Sequence, residues 1–207
     1  MNVNYNTLME KEIATFQSKK KLLLHSCCGP CSSSVISRLR DYFDITILYY
    51  NPNIEPLEEY EKRKEEQKRF LKEFDPSILL MDIDYDHEAF LKIAKNLESE
   101  PEGGARCKKC FYLRLEKCGS LAKEHQFDSF GTTLTVSPYK NAQVINKLGL
   151  EVEKKLYESN KDKIFNTKFL VSDFKKREGY KKSIELSKKY NLYRQDYCGC
   201  LYGKENN

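Results

Sequence analysis

Clustered cysteines are the feature of this sequence that points most clearly to chemistry. The chain has eight cysteines among 207 residues. Seven of them form three short groups: Cys27, Cys28 and Cys31; Cys107 and Cys110; Cys198 and Cys200. Residues 1–20 contain no apolar core of a secretion signal, so we expect a cytoplasmic protein. In a reducing compartment, grouped cysteines typically bind metal or carry redox chemistry rather than form structural disulfides.

The first two groups together offer enough thiolates for a metal centre. Cys107-Lys-Lys-Cys110 is a C-x-x-C at the start of a predicted helix, where two sulfurs can face one point near the positive end of the helix dipole. Cys27 and Cys28 follow a predicted strand, and the turn at Gly29 can redirect their side chains. Four thiolates suit a Cys₄ zinc site and a [4Fe–4S] cluster alike. The residues therefore predict a metal but do not choose which one.

Three residues near these groups are weaker candidates. Cys31 lies close enough to the first pair to be an additional ligand, although free cysteine in a helical pattern also packs as a small apolar residue. We expect the latter role for Cys118. His25 ends the first predicted strand beside the cysteines, but no other histidine lies at a metal-ligand spacing from it.

The third group predicts a different function. A disulfide between Cys198 and Cys200 would close a very small ring, which is strained and therefore easily reduced. Gly199 between them relaxes the backbone restriction on closure. Because the pair lies near the C-terminus, we expect a dithiol that can swing or be reached by a reductant. The alternative is that these cysteines complete a metal site, and we favour the redox pair.

Strand and helix patterns alternate along the whole chain. Strands are predicted over 21–25, 44–50, 77–83, 127–132 and 165–171. Helices are predicted up to residue 40 after the first strand, and then over 55–74, 87–97, 110–125, 141–157 and 179–190. This alternation predicts an α/β fold with a mostly parallel sheet flanked by helices. Ligands of such sheets bind at the carboxyl ends of the strands, which is where the cysteines should form their metal site.

Composition and charge limit the remaining possibilities. Hydrophobic residues make up 40% of the chain and charged residues 32%, as in a globular domain. Apolar runs are far shorter than the roughly 20 residues of a membrane span, so no membrane partner is expected. Residues 151–207 hold 14 basic and 9 acidic side chains and account for the whole net charge of +5. Lys175, Lys176 and Arg177 in that stretch are candidates for phosphate contacts, or else an ordinary solvated face.

Several motifs together resemble the QueH family of epoxyqueuosine reductases. The resemblance runs from about residue 22 to residue 203 and leaves residues 1–20 as a helical extension of a single catalytic domain, 21–207. The matching segments are Leu22–Cys31, Tyr49–Ile54, Arg106–Arg114, Phe130–Ser137, Asp173–Tyr180 and Tyr193–Cys200.

The resemblance implies an adenine-nucleotide-hydrolase-like (HUP-like) α/β fold and the last step of queuosine synthesis. That step removes the epoxide oxygen of epoxyqueuosine at the wobble position of a tRNA anticodon. By motif, four cysteines would hold a [4Fe–4S] cluster, namely Cys27, Cys28, Cys107 and Cys110. Cys198 and Cys200 would form a redox-active disulfide that an unidentified electron donor reduces. A second iron ion near the cluster is a further expectation, with Cys31 as a candidate ligand.

Two other functions remain open from the sequence. An adenylating tRNA thiolation enzyme would share the scaffold, but it needs a Ser-Gly-Gly-x-Asp-Ser phosphate loop where this chain has Ser26-Cys-Cys-Gly-Pro-Cys31. A zinc-stapled RNA-binding module would use the same thiolates without catalysis. A zinc module would be colourless after purification without oxygen, whereas an iron–sulfur protein would be brown.

Overall fold

The fold is a five-stranded, all-parallel sheet covered by helices. The structure is a computed structural model that describes residues 2–158 and 167–205. The strands are β1 (Lys20–His25), β2 (Phe43–Tyr49), β3 (Leu79–Asp82), β4 (Ser129–Thr132) and β5 (Lys168–Phe169). The helices are α1 (Tyr5–Ile13), α2 (Gly29–Leu39), α3 (Leu57–Phe74), α4 (His87–Ala94), α5 (Ala105–Glu124), α6 (Ala142–Glu158), α7 (Gly179–Lys189) and α8 (Leu201–Glu205). The predicted α/β class is confirmed.

Strand order explains why the site forms where it does. The strands run in the order β3-β2-β1-β4-β5, so the chain leaves β3 at one edge and returns beside β1. The crevice between β1 and β4 is thus the point where the strand order reverses, and such points bind ligands in parallel α/β sheets. His25 pairs with Thr132 there, at the carboxyl ends of both strands.

The centre of the sheet is buried on both faces, as the apolar run of β1 requires, whereas the edge strand β3 is partly exposed. Alternate residues of β1 enter different cores because side chains alternate across a strand. Leu22 and Leu24 pack under α2 and α3, whereas Leu23 packs under α5 and α6. Met9 and Ile13 of α1 join the first core, so this part of residues 1–20 packs against the sheet.

Several predicted boundaries differ from the structure. The helix predicted over 110–125 is α5, which begins at Ala105 and so holds the whole C-x-x-C in its first two turns. A short 3₁₀ helix, Thr133–Val136, follows β4 without a sequence prediction. The observed part of the fifth strand is only Lys168–Phe169, while positions 165 and 166 of that prediction lie outside the described residues. Among the described helices, none has the length and apolarity needed to cross a membrane.

Candidate metal centre and its cavity

The turn between β1 and α2 brings three thiols together. The Sγ atoms of Cys27, Cys28 and Cys31 all lie within 4.8 Å of one another, and we call them the cysteine triad. Cys28 is the extended residue before α2, and Pro30 occupies the first helical turn, where its missing N–H costs nothing. Cys31 then follows one turn from Cys27. Helical geometry, rather than the strand, therefore adds the third thiol to the pair.

Buried polar contacts fix the backbone of this turn. The Ser26 hydroxyl donates to Gln67 Oε1 at 2.7 Å, and Asn51 Nδ2 donates to the Ser26 carbonyl at 2.9 Å. The Ser32 hydroxyl also donates to Gln67 Oε1, at 3.0 Å. Because all four side chains are buried, these bonds form in a low-dielectric interior and hold the turn rigidly.

The triad shares its protons unequally. Hydrogen bonds donated by Cys28 and Cys31 hold the pKa of Cys27 well below its ordinary value. The same bonds, together with burial, raise the pKa of Cys28 to about 12 and the pKa of Cys31 well above the usual range. The arrangement therefore favours one thiolate, at Cys27, with two thiols donating to it. A bound cation would favour the deprotonated form of all three.

A second group of thiols lies where α5 meets the C-terminal segment. We call Cys107, Cys110, Cys198 and Cys200 the thiol quartet. The Gly103 N–H donates to Cys107 Sγ at 3.2 Å, and Cys200 packs against the same small core as Cys110. Burial, aided by negative charge at the other three thiols and opposed by the charge of Arg114, raises the pKa of Cys110 to about 12. All eight cysteines are free thiols in this structure.

The C-terminal pair is held firmly rather than left to swing. Arg63 of α3 donates from Nη1 to the Cys198 carbonyl at 3.2 Å, and its Nε pairs with Glu59 at 2.6 Å. The Glu55 N–H donates to the Gly199 carbonyl at 2.9 Å. Gly199 has φ +111°, and a Cβ there would lie 2.7 Å from an Ile54 side-chain carbon. Only glycine fits this position, and the contacts with Glu55 and with Arg63 of α3 hold the backbone between the two cysteines.

Arg114 connects the triad and the quartet. Its side chain is 1% exposed, its Nε donates to the Cys110 carbonyl at 3.3 Å, and its Nη2 has no hydrogen-bond partner among the described residues. Burial alone would lower the pKa of Arg114, but negative charge at Cys110, Cys198 and Cys27 raises it above its ordinary value. A buried guanidinium needs a negative partner. Cys110, Cys198 and Cys27 lie around it and supply that charge when they are deprotonated, as thiols are when they bind a metal.

The thiols therefore fit a metal group with soft ligands. Thiolates select zinc, copper(I) or iron–sulfur clusters over magnesium or calcium. The triad alone can ligate one ion, and the unpartnered Arg114 Nη2 lies in a buried region that suits a net negative centre. His25 takes no part, because its Nδ1 contacts Thr132 Oγ1 at 2.9 Å and its Nε2 contacts the Tyr50 carbonyl at 3.1 Å. Burial, and then the charge of Arg114, lower the pKa of His25 to about 3, so the ring is neutral.

A cavity of about 550 Å³ opens onto the thiols. Cys27 and Cys31 line it from the triad, and Cys198 lines it from the quartet. A smaller adjoining cavity of about 70 Å³ is lined by Cys107, and Cys198 and Lys140 line both spaces. The main cavity falls within the roughly 300–1,000 Å³ of typical small-molecule sites. A ligand inside it would contact thiols of both groups.

Sequence reasoning missed two cations of this site. The first is Lys140, which is half-buried between the two cavities. Burial lowers the pKa of Lys140, but the negative charge of the nearby thiols Cys198, Cys27 and Cys31 outweighs burial and raises the pKa above its ordinary value. Its signal in the sequence was only a lysine after Pro138-Tyr139. Arg114 carried a clearer signal, because it follows Cys110 by four residues and must lie on the same face of α5.

The predicted basic stretch is partly engaged inside the protein. The Lys175 ammonium donates to the Thr135 and Lys140 carbonyls at 3.1 and 3.2 Å. Arg177 pairs with Glu10 of α1 at 2.8 Å. Lys176 is exposed. Phosphate binding by these residues stays a prediction, with Lys176 as the residue best placed for it.

The fold and site together place the protein in one class: an α/β protein with a group of thiols that could hold a metal, at the switch point of a parallel sheet. A family model described as Epoxyqueuosine reductase QueH matches residues 22–206. A protein of that name from Staphylococcus epidermidis is 43% identical over 209 residues, covering 97% of this chain and 84% of its own. One from Haemophilus influenzae is 42% identical, covering 88% and 71%, and one from Thermotoga maritima is 34% identical, covering 87% and 88%.

The chain belongs to the QueH family of epoxyqueuosine reductases. The resemblance noted from its motifs is thereby confirmed, and the chain is assigned to the oxidoreductases. Neither the thiolation enzyme nor the zinc-stapled RNA-binding module is favoured by this assignment.

Proposed function

We propose that this protein converts epoxyqueuosine to queuosine at the wobble position of tRNA anticodons, the last step of queuosine biosynthesis. The observation that carries the proposal is one cavity bordered by both thiol groups, in a chain of this family. Conversion of an epoxide to an alkene consumes two electrons and two protons and releases the oxygen as water. A site that holds several thiols beside a ligand cavity can provide both.

We assign Cys27, Cys28, Cys107 and Cys110 as the ligands of a [4Fe–4S] cluster. The proposal is supported by the softness of the ligands and by the shared interaction of three of these thiols with Arg114. When bound, such a cluster supplies electrons one at a time. We assign Cys31 to a second iron ion, supported by its place in the triad and on the cavity wall.

We assign Cys198 and Cys200 as the redox pair. Oxidation of the two thiols to a disulfide releases two electrons and two protons, which equals the demand of one turnover. A reductant that remains to be identified then returns the dithiol. Cys198 borders the cavity, and the clamp by Arg63 and Glu55 keeps its backbone in place during the exchange.

The other side chains of the cavity bind and orient. The Lys140 ammonium beside Cys27 and Cys198 stabilises negative charge on the thiols. Tyr197, whose hydroxyl donates to the Glu55 carbonyl at 2.7 Å, forms part of the wall. These contacts support a cavity that is formed before the substrate binds, which lowers the entropy cost of binding.

We further propose that the substrate is a whole tRNA in the cytoplasm, bound partly through Lys176. Lys176→Glu should weaken tRNA binding and reduce the slope of log affinity against log salt by about 1. Lys188→Glu on α7 serves as a charge-matched control outside the predicted stretch. Equal salt slopes for both variants and the wild type would remove Lys176 from the tRNA contact.

The function is tested by anaerobic turnover. Protein purified without oxygen is incubated with epoxyqueuosine-containing tRNA and a chemical reductant, and the nucleosides are analysed by mass spectrometry. We expect loss of epoxyqueuosine, a matching gain of queuosine, and brown protein that contains iron. Iron-free, colourless protein without conversion under these conditions would contradict the proposal.

A further inference from the structure

An exposed aromatic ring stands at the mouth of the main cavity. Tyr139 is 80% exposed, although tyrosine usually buries its ring against a neighbour. It borders both the main cavity and the smaller one, beside Lys140. Neither the metal assignment nor the proposed redox chemistry gives this ring a function.

The backbone that carries Tyr139 is rigid. The Ser137 N–H donates to the Leu134 carbonyl, and the Lys140 N–H donates to the Ser137 carbonyl, each at 3.3 Å. The Lys175 ammonium bridges the Thr135 and Lys140 carbonyls from the other side. The ring is therefore presented on a fixed turn. Fixed presentation of an exposed aromatic lowers the entropy cost of contacting a ligand.

Charge at the cavity mouth argues against a phosphate cradle. Among the described residues, the cavity is lined by two cations, Lys140 and Arg194, and by two carboxylates, Glu102 and Asp196. Phosphate contacts require an excess of positive charge. A mixed rim with aromatic rings instead suits a nucleobase, which binds by stacking and by hydrogen bonds to its edges. On another part of the wall, Tyr180 has the Arg194 guanidinium 5.8 Å from its ring centre.

The size of the cavity limits what can enter it. About 550 Å³ admits one modified nucleoside, so the nucleotides on either side of it must stay at the rim. The exposed ring of Tyr139 lies at that rim. Base–aromatic stacking of this kind tolerates any base, because every base has a π face.

We infer that Tyr139 is a stacking subsite for the unpaired nucleobase next to the nucleotide that enters the cavity. The ligand class is a single-stranded RNA loop. The inference rests on the proposed function, since it assumes that an RNA nucleotide occupies the cavity. It adds a second binding position outside the thiol site, and that position contacts no reacting atom.

The test measures binding without turnover. An unmodified anticodon stem-loop RNA carries 2-aminopurine beside the wobble nucleotide, because stacking quenches the fluorescence of that base. Anaerobically purified protein is titrated as wild type, Tyr139→Ala, Tyr139→Phe and Tyr42→Ala. Tyr42 is an exposed tyrosine just before β2, at the amino end of the strands and so opposite the cavity, and serves as the matched control.

We expect quenching with the wild type, Tyr139→Phe and Tyr42→Ala, and about 5-fold to 150-fold weaker binding without quenching for Tyr139→Ala. Wild-type binding and quenching by Tyr139→Ala would overturn the inference. A thermal melt and an iron analysis of the same samples show whether each variant is folded, so weaker binding is not mistaken for unfolding.

If the wild type quenches the fluorescence but converts no epoxyqueuosine, the proposed function fails and the subsite stands. If it converts epoxyqueuosine and Tyr139→Ala binds normally, the subsite fails alone.

Discussion

Cys118 and the cysteine triad both lie beside strand β1, but their thiols have different partners. Cys118 lies in α5 with 0% exposure, and its Sγ donates to the Leu23 carbonyl at 3.5 Å and approaches the Gly131 carbonyl at 3.8 Å. The triad lies past the end of that strand, and its sulfurs contact one another. Within the sheet a thiol finds backbone acceptors and apolar neighbours. Beyond the strand ends it finds other thiols and a cavity.

The chemistry of a cysteine in this protein therefore depends on its position relative to the strand ends. Burial raises the pKa of Cys118 to about 12, so it stays an uncharged thiol in the core. Burial also acts on Cys27, but hydrogen bonds from two neighbouring thiols outweigh it and lower its pKa. Cys27 and Cys31 are half-buried and Cys28 is buried like Cys118, so burial alone does not separate the two regions. The partners of the sulfur do.

Replacing a proposed cluster ligand should cause the greatest loss of function. Cys28→Ala and Cys110→Ala should each lose bound iron, visible absorption and reductase activity, the last by more than about a hundredfold, because a cluster cannot replace a thiolate ligand. Iron analysis and turnover of the anaerobically purified variants test this. A variant with the full iron content and the wild-type rate would contradict the ligand assignment.

A second prediction separates the redox pair from ligands. Cys198→Ser and Cys200→Ser should keep their iron and complete at most one turnover, since no dithiol remains to supply the next electron pair. The wild-type C-terminal peptide should gain two hydrogens in mass on reduction. Parallel loss of iron and activity would instead make Cys198 and Cys200 metal ligands, an alternative that the packing of Cys200 against the core around Cys110 allows.

A third prediction concerns the cation between the two thiol groups. Arg114→Met removes a buried positive charge while keeping much of the side-chain volume. Without this cation, adding an electron to the bound centre costs more free energy. The midpoint potential of the centre should therefore fall by on the order of 60 mV, which is a tenfold change in the equilibrium constant of a one-electron couple. Anaerobic potentiometric titration measures it. Arg106→Met, which removes another buried arginine on α5, is the control for general damage to that helix.

A much smaller effect is expected when Cys118, the cysteine in the core, is replaced. Cys118→Ala should leave iron content and turnover unchanged and reduce the free energy of unfolding by about 1 kcal/mol, as expected for loss of one buried atom. Chemical denaturation and iron analysis of the same preparation test this. Loss of iron from this variant would show that Cys118 acts on the metal centre after all.

Much of the fold could be predicted because its signals are local. Apolar runs such as Leu22–Leu24 and charged helical stretches such as 57–74 give strand and helix without reference to the rest of the chain. Their alternation then predicted the parallel sheet. The boundary of α5 was wrong because Gly104 precedes its first turn without a side-chain cap, so no capping residue marked where that helix begins.

By itself, the sequence determined the kinds of ligand available and the edge of the sheet where they collect. The spacing of Cys27, Cys28, Cys107 and Cys110 predicted thiolate chemistry at the strand ends. Only the tertiary structure decided which thiols meet, because Sγ distances depend on how β1, α5 and the C-terminal segment pack. It added Cys31 to the triad and gathered Cys198 and Cys200 beside α5.

The tertiary structure alone also decided which charges are available for binding. In the sequence, Lys175 and Arg177 are equal members of a basic stretch, yet one supports the turn before α6 and the other pairs with α1. Arg63 and Arg114 look like ordinary helical cations, yet both are buried and hold the site together. The physical reason is that a side chain's charge is encoded locally, whereas its partners come from distant parts of the chain.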